Sequence, residues 1–262
     1  MKEQLRSTAR KVLPSGLRHT LGGWAAKFNG HVVGLFQGLY FDYVIRRFRA
    51  DGCEFEIPRH LTSITYRSCF IKGSYEAEER ELIRKFVRPE DSVLEVGACL
   101  GIVSCVTNKL LRDNRRHVVV EGNPLCIPAI HRNRQLNQCG FLVENCALSN
   151  ETEVTFYLHP VYIVGGTTQR ESNRPVRVPG KSLAELDARY GPFSVLIMDV
   201  EGAELETLQP AAELLKKYRV VIIELHEWAI GAEKVERCRE ILRRAGLEFK
   251  ASAGITEAWE RR

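Results

Sequence analysis

The chain has 262 residues, of which 44% are hydrophobic and 27% charged, and its formal net charge is +5. This balance is typical of a folded globular protein and excludes a disordered or fibrous chain. The positive charge is concentrated in residues 1–50, which hold nine Lys or Arg and two Asp or Glu.

Residues 1–70 predict a basic N-terminal extension of helices and loops. The charged start is not followed by the apolar run of a signal peptide, and the most apolar early segment, residues 31–45, is too short for a membrane span. A basic arm suits peripheral contact with an anionic membrane or glycan, although a solvated helix face is the simpler interpretation. The eight cysteines form no C-x-x-C pair, which predicts reduced thiols and a cytoplasmic protein.

Residues 71–262 predict a single α/β domain. An amphipathic helix over residues 75–87 precedes a region in which short apolar runs alternate with helical patterns, as in βαβ units of a doubly wound, mostly parallel sheet. The predicted strands are Ser92–Val96, His117–Glu121, Phe141–Asn145, Ser194–Asp199 and Val220–Leu225. The predicted helices are Gly101–Arg112, Pro124–Leu136, Ser182–Tyr190, Glu204–Tyr218 and Glu233–Arg244.

The segment Glu151–Val178 breaks this alternation. The stretches "EVTFYLHP" and "RPVRV" alternate like exposed strands, and the stretch between them is rich in turn-forming residues. We therefore expect a mobile loop near the ligand side of the domain.

The stretch "VLEVGACLG" places Gly97 and Gly101 where the first strand turns into its helix. Ligands of doubly wound sheets bind at this point. The spacing is neither G-x-G-x-x-G nor a phosphate-binding loop, so a pyrophosphate ligand is disfavoured. Glu121, at the end of the next strand, is placed to accept both hydroxyls of a ribose. A nucleoside carrying a charged amino-acid tail fits these features.

The runs "VLEVGACLG", "VVVEGNP", "ENCALSNETEVTFY", "LIMDVEGAELETL" and "VVIIELH" resemble the FkbM family of S-adenosylmethionine-dependent methyltransferases. The resemblance covers about residues 70–227. It implies a class I, Rossmann-like methyltransferase fold with S-adenosyl-L-methionine as cofactor.

The resemblance also implies which residues surround the cofactor. Gly97, Ala98 and Gly101 would pass its methionine part, Glu121 would hold the ribose, and Asp199 would lie near the sulfonium or the acceptor. The expected cofactor-binding set is Glu95, Gly97, Ala98, Gly101, Glu121, Gly122, Asn145, Cys146, Ala147 and Asp199. The chain departs from the family pattern at Cys99, where Asn is common, and at Ile197, where Lys is common.

Asp199, Glu201 and His226 are the candidate catalytic residues at the ends of the fourth and fifth predicted strands. A hydroxyl acceptor is a poor nucleophile while protonated, so a positioned base accelerates its methylation. The pKa of an ordinary histidine suits that role, but His226 also has the simpler interpretation of a structural hydrogen-bonding residue. Asp199 has the alternative role of a helix cap.

Carboxylates at adjacent strand ends also suit a divalent cation, with Asp199, Glu201 and Glu224 as ligands. The spacing does not require a metal, and none is assigned at this stage.

The predicted function is O-methyl transfer to a hydroxyl of a sugar, glycan or small natural product, an acceptor class that the resemblance implies. The alternatives are a metal-assisted O-methyltransferase and a non-catalytic protein that keeps the cofactor fold. Nucleic acid is not an expected partner, because the fourth strand ends in "DVEG" and no aromatic-studded basic groove is evident. The oligomeric state is not predicted.

Overall fold

A computed structural model describes residues 32–158 and 171–262. The strands are β1 (Arg47–Ala50), β2 (Cys53–Glu56), β3 (Val93–Val96), β4 (His117–Glu121), β5 (Leu142–Asn145), β6 (Ala147–Leu148), β7 (Glu153–Tyr157), β8 (Pro175–Lys181), β9 (Val195–Met198), β10 (Val220–Glu224), β11 (Leu247–Ala253) and β12 (Thr256–Arg261). The α-helices after residue 60 are α1 (Ser68–Lys72), α2 (Ala77–Phe86), α3 (Ile102–Leu110), α4 (Ile127–Leu136), α5 (Leu183–Tyr190), α6 (Glu204–Leu208), α7 (Ala212–Leu215), α8 (Glu227–Ile230) and α9 (Ala232–Arg244). Residues 32–40 are also helical and lead into a π-helical turn, Phe41–Ile45.

A seven-stranded sheet in the order β11-β12-β10-β9-β3-β4-β5 forms the centre of the fold. Five neighbouring strands, β10, β9, β3, β4 and β5, are parallel to one another. β12 pairs antiparallel with β10 and β11. The chain passes from β3 to β4 and β5 on one side, and later to β9 and β10 on the other. The strand order therefore reverses between β3 and β9, which is where an open α/β sheet forms its ligand crevice.

The five predicted parallel strands are confirmed to within one residue at either end. β3 and β9 consist of the runs "VLEV" and "VLIM", every residue of which is buried. Strands that helices cover on both faces are mainly apolar and do not alternate, so these apolar runs predicted the strands correctly.

One predicted helix, Glu204–Tyr218, is divided in the structure into α6 and α7. Pro210 lies between them, has no backbone N–H to donate and disfavours a helical conformation in the residue before it. The prediction of one continuous helix was wrong because it overlooked this proline.

The sequence predicted helices and loops over residues 1–70, but the described part of this extension also contains two strands. β1 and β2 form an antiparallel hairpin around Asp51 and Gly52, whose φ angles are +50° and +76°. An Asp-Gly pair between alternating apolar residues is a strong hairpin signal, because both turn positions need positive φ. The signal was present in "RFRADGCEFE".

The hairpin is tied to α4 by two asparagines. Asn133 accepts a hydrogen bond from the Glu56 backbone N–H at 2.8 Å and donates to the Leu100 carbonyl at 2.9 Å. Asn137 accepts from the Glu54 backbone N–H at 2.9 Å. The described part of the extension therefore packs onto the central sheet, and both share one hydrophobic core.

The hairpin β11–β12 was not predicted. The segment after residue 150 was predicted to contain strands from its alternating pattern. The latter forms β7 and β8, which pair antiparallel, and β6 pairs in parallel with β8 in a separate small sheet. The loop expected between β7 and β8 falls on residues 159–170, and the start of the basic arm falls on residues 1–31. Both ranges lie outside the described residues. In the part of the chain that is described, no helix has the length and apolarity needed to cross a membrane.

Candidate active site

A cavity of about 420 Å³ lies at the carboxyl ends of β3, β4 and β9. Gly97 and Cys99 line it after β3, Glu121 after β4, and Asp199 after β9. Its opposite wall comes from the segment before α2, including Tyr75 and Glu76. The cavity thus occupies the crevice that the sheet topology predicts.

Gly97 is a glycine because two strand ends meet there. Its φ angle is +92°, and a Cβ at this position would lie 1.6 Å from the Asp199 carbonyl oxygen. Only a residue without a side chain allows the backbone of Asp199 to approach so closely. The resemblance implied a close approach of the cofactor at Gly97, and the structure adds that the neighbouring strand also requires the glycine.

Glu121 is held by the backbone of two turns. Its carboxylate accepts hydrogen bonds from the Cys99 N–H at 2.7 Å and from the Asn123 N–H at 2.6 Å. Burial raises the pKa of Glu121, although these two donors favour the charged form. The Gly122 N–H is a further donor, so these groups use part of the roughly four acceptor positions of the carboxylate and the remainder is available to a ligand in the cavity.

The other predicted cofactor residues fall into two groups. Gly122, Cys146 and Ala147 line the cavity. Ala98, Gly101 and Asn145 do not line it and belong to the backbone segments next to it. Asn145 donates to the Glu121 carbonyl oxygen at 2.7 Å, whereas Gly101 has a φ angle of +72° and caps α3.

Glu95 does not belong to the cavity, so its predicted contact with the cofactor is corrected here. Its carboxylate is buried among side chains of the fold, where it accepts from the Ser104 hydroxyl and lies 3.1 Å from His117 Nε2. Both carboxylate oxygens are occupied by these partners, and none of the residue lines the cavity.

A group of carboxylates surrounds His226 at the ends of β9 and β10. We define the acidic cluster as Asp199, Glu201, Glu204 and Glu224. The Nε2 atom of His226 lies 3.6 Å from Asp199 Oδ1, 3.6 Å from Glu224 Oε1 and 3.8 Å from Glu201 Oε2. Its Nδ1 atom lies 2.6 Å from Glu204 Oε1. The structure therefore brings together the three predicted catalytic residues, Asp199, Glu201 and His226.

Burial and like charges shift the pKa values in this group. The pKa of Asp199 is raised well above its ordinary value by burial and by the nearby Glu224 and Glu201 carboxylates. Burial lowers the pKa of His226, but Glu204, Asp199 and Glu201 outweigh it and raise that pKa to about 9. Titratable groups with strongly shifted pKa values in a cleft are typical of functional sites.

The cavity is strongly acidic. Seven carboxyl side chains line it, and no Lys or Arg does so among the described residues. The seven are Glu76, Glu78, Glu79, Glu121, Asp199, Glu201 and Glu224. Because removing charges of one sign from water is costly, this lining favours a cationic occupant.

Sequence reasoning found only part of the lining. It predicted the amphipathic helix over residues 75–87, whose first residues, Tyr75 and Glu76, line the cavity. It missed Glu79, Tyr66 and Phe156, which come from elements far from the glycine turn in sequence. The alternation in "EVTFY" indicated that Phe156 faces inward, but no local signal linked that strand to this cavity.

The two departures from the family pattern occupy different places. Cys99 lines the cavity, and its φ angle of +49° is in the left-handed region. Ile197 is fully buried in the sheet among Val93, Val195 and other apolar side chains, and it does not line the cavity. Only the change at Cys99 alters the surface that a ligand would meet.

Solved structures of methyltransferases are similar to this chain at low identity. Precorrin-6y C5,15-methyltransferase from Geobacter metallireducens is 10% identical, with 79% of this chain and 94% of that chain covered and a TM-score of 0.48. An O-methyltransferase from Bacillus cereus in complex with SAH is 12% identical, with 70% and 80% covered and a TM-score of 0.43. No curated protein matches the chain significantly.

The sequence matches the family model described as "Methyltransferase FkbM domain" over residues 95–249, which is more than half of the chain. This match includes the glycine turn, Glu121, the acidic cluster and His226. It confirms the resemblance found in the sequence. The chain belongs to the FkbM methyltransferase family and is an S-adenosylmethionine-dependent methyltransferase.

Proposed function

We propose that the protein methylates a hydroxyl group of a sugar, glycan or small natural product. The observation that carries this proposal is the position of Asp199, which lines the cofactor cavity and faces His226 Nε2 at 3.6 Å. A buried acid–histidine pair beside a methyl donor is the arrangement that a protonated, weakly nucleophilic acceptor needs.

The cavity fits the cofactor in charge and in donor and acceptor chemistry. S-adenosylmethionine carries a sulfonium and an ammonium group, and the seven lining carboxyls favour such a cation over an anion. Glu121 has acceptor positions left for the ribose hydroxyls. Glu76 Oε2 is buried without a hydrogen-bond partner among the described residues, so an ammonium group can satisfy it.

Asp199 receives the proton of the acceptor hydroxyl in this proposal. Its raised pKa makes it a stronger base than an ordinary aspartate, which favours transfer of the hydroxyl proton to it. His226 keeps its side chain in place through Glu204 and stabilises the negative charge of Asp199. When bound, the cofactor supplies an electrophilic methyl group, which the acceptor oxygen takes in an in-line displacement.

The test is transfer of a labelled methyl group from S-adenosylmethionine to panels of sugars, glycans, phenols and matched amines. We expect a hydroxyl acceptor, and we expect Asp199→Asn to lower the transfer rate at least 100-fold while the cofactor still binds. The exposed Asp113→Asn is the matched control. Transfer only to amines, or an unimpaired Asp199→Asn, would contradict the proposal.

Cofactor binding without transfer to any acceptor would instead favour the non-catalytic alternative. A cytoplasmic location is also part of our proposal. It is supported by the cysteine pattern, which predicts reduced thiols.

A further inference from the structure

Four atoms that can act as metal ligands converge at the end of β10. His226 Nε2 lies 3.6–3.8 Å from one carboxylate oxygen of each of Asp199, Glu201 and Glu224. These separations exceed the length of a hydrogen bond. They are compatible with ligand atoms that surround a common cation at bonds of about 2.0–2.4 Å.

The other side of the imidazole shows how His226 is oriented. Its Nδ1 atom lies 2.6 Å from Glu204, whose side chain is fully buried and also accepts from the Gly202 N–H at 2.9 Å. A histidine that donates Nδ1–H to a buried carboxylate presents the lone pair of Nε2 on its opposite edge. This carboxylate–histidine arrangement is the usual support of a metal-binding imidazole.

Asp199 and His226 bring buried polar atoms into this site. The His226 side chain is only 4% exposed and points its Nε2 atom into the cluster. Asp199 Oδ1 is buried and has no hydrogen-bond partner among the described residues. No Lys or Arg of the described chain lines the cavity here. Buried acceptors of this kind are satisfied by a cation or remain destabilising.

We propose that Asp199, Glu224 and His226 bind a divalent first-row transition-metal cation. One ligand atom from each of the three residues lies within 4.8 Å of the other two. One imidazole with carboxylates suits Mn²⁺, Fe²⁺ or Zn²⁺ better than Mg²⁺, which prefers oxygen ligands.

The role of the cation rests on the proposed O-methyl transfer. A Lewis acid beside the methyl donor lowers the pKa of a hydroxyl that binds it and orients the acceptor. In the cation-bound form Asp199 is a ligand, and the cation takes over its proposed role of activating the hydroxyl.

The direct test uses MnCl₂ as the probe on the full chain treated with EDTA and then dialysed. Free Mn²⁺ is measured by electron paramagnetic resonance, with calorimetry as a second readout. We expect one site per chain, and affinity at least tenfold weaker in Glu224→Gln and in Asp199→Asn. Glu206→Gln, which removes an exposed carboxylate paired with Lys234, is the matched control and keeps wild-type affinity.

A circular dichroism melting curve of each variant establishes that it is folded. The proposal is overturned if the wild type binds no Mn²⁺, or if both cluster variants bind it as tightly as the wild type. Equal methyl transfer by EDTA-treated and Mn²⁺-loaded enzyme overturns the role of the cation and leaves O-methylation intact. Mn²⁺ binding by a protein that transfers no methyl group preserves the site and overturns the proposed function.

Discussion

At the scale of single residues, Cys99 shows how one position couples backbone conformation to the cofactor cavity. It adopts φ +49° immediately after the glycine turn, and its N–H binds the Glu121 carboxylate. Non-glycine residues rarely adopt this conformation, and Asn tolerates it better than Cys. The positive φ angle at this position therefore explains why Asn is common there in the family.

The substitution Cys99→Asn tests this explanation. We expect it to raise the free energy of unfolding by about 0.5–1 kcal/mol, because the left-handed conformation costs Asn less. The affinity for S-adenosylmethionine should stay equal or increase. Chemical denaturation and calorimetric titration measure the two quantities, with Cys69→Asn as a second cavity-lining control. A loss of stability in Cys99→Asn alone would show that the thiol contact with Tyr75, at 3.4 Å, matters more than the backbone.

The sequence could identify residues whose role follows from a strand end. Glu121 and Asp199 each follow an apolar run, and both line the cavity. Glu95 could not be assigned in the same way, since its partners Ser104 and His117 come from a helix and a strand whose packing is not encoded locally. The convergence of Glu204 and Glu224 on His226 likewise depends on tertiary structure.

At the scale of elements, Asp91 joins the amino ends of three adjacent strands. Its carboxylate accepts from Arg219, which precedes β10, from Ser194 Oγ at 2.8 Å, and from the Arg88 N–H at 2.7 Å. Burial raises the pKa of Asp91, but these donors outweigh it and hold that pKa below its ordinary value. The charged form is therefore the one that stabilises the sheet.

The substitution Asp91→Asn should lower the free energy of unfolding by about 2–3 kcal/mol at pH 7, because Arg219 loses its charged partner. A depressed folded-state pKa gives stability that is present above the unfolded-state value, about 3.9, and is lost as pH falls through the folded-state value. The difference between wild type and variant should thus shrink below about pH 4 in urea denaturation.

Glu206→Gln, at an exposed carboxylate paired with Lys234, provides the control and should be nearly neutral. A difference between wild type and Asp91→Asn that persists unchanged at low pH would show that the ion pair is not its source.

The elements that sequence could predict are those buried on both faces. β3, β4, β9 and β10 are apolar runs, and they were found. β11 was missed because it lies at the sheet edge, and only Leu247 of its sequence "LEFKASA" is buried. Such strands form through pairing with a neighbour, which a local pattern shows only weakly.

At the scale of the whole molecule, the extension and the sheet share a core. Phe41, Phe48, Phe55 and Phe70 form contacts with one another and belong to the same buried cluster as Leu100. Four phenylalanines that bury 150–250 Å² each would contribute several kcal/mol to folding. The boundary expected at residue 70 therefore does not separate two independent cores within the described residues.

A chain that begins at residue 71 should consequently fail to fold cooperatively. The apolar face of α3 and α4 would be exposed, and Asn133 and Asn137 would lose their partners on β2. Circular dichroism melting curves of the full and shortened chains test this expectation. A sharp transition at the wild-type temperature in the shortened chain would show that the extension is dispensable.

We interpret the acidic cavity as the S-adenosylmethionine site of the molecule. Calorimetric titration of the purified protein with S-adenosylmethionine and S-adenosylhomocysteine, with Glu121→Ala alongside, tests this most directly. We predict micromolar binding that weakens at least tenfold in Glu121→Ala, because charge-assisted hydrogen bonds to the ribose are lost. A folded wild type that binds neither compound would contradict the account.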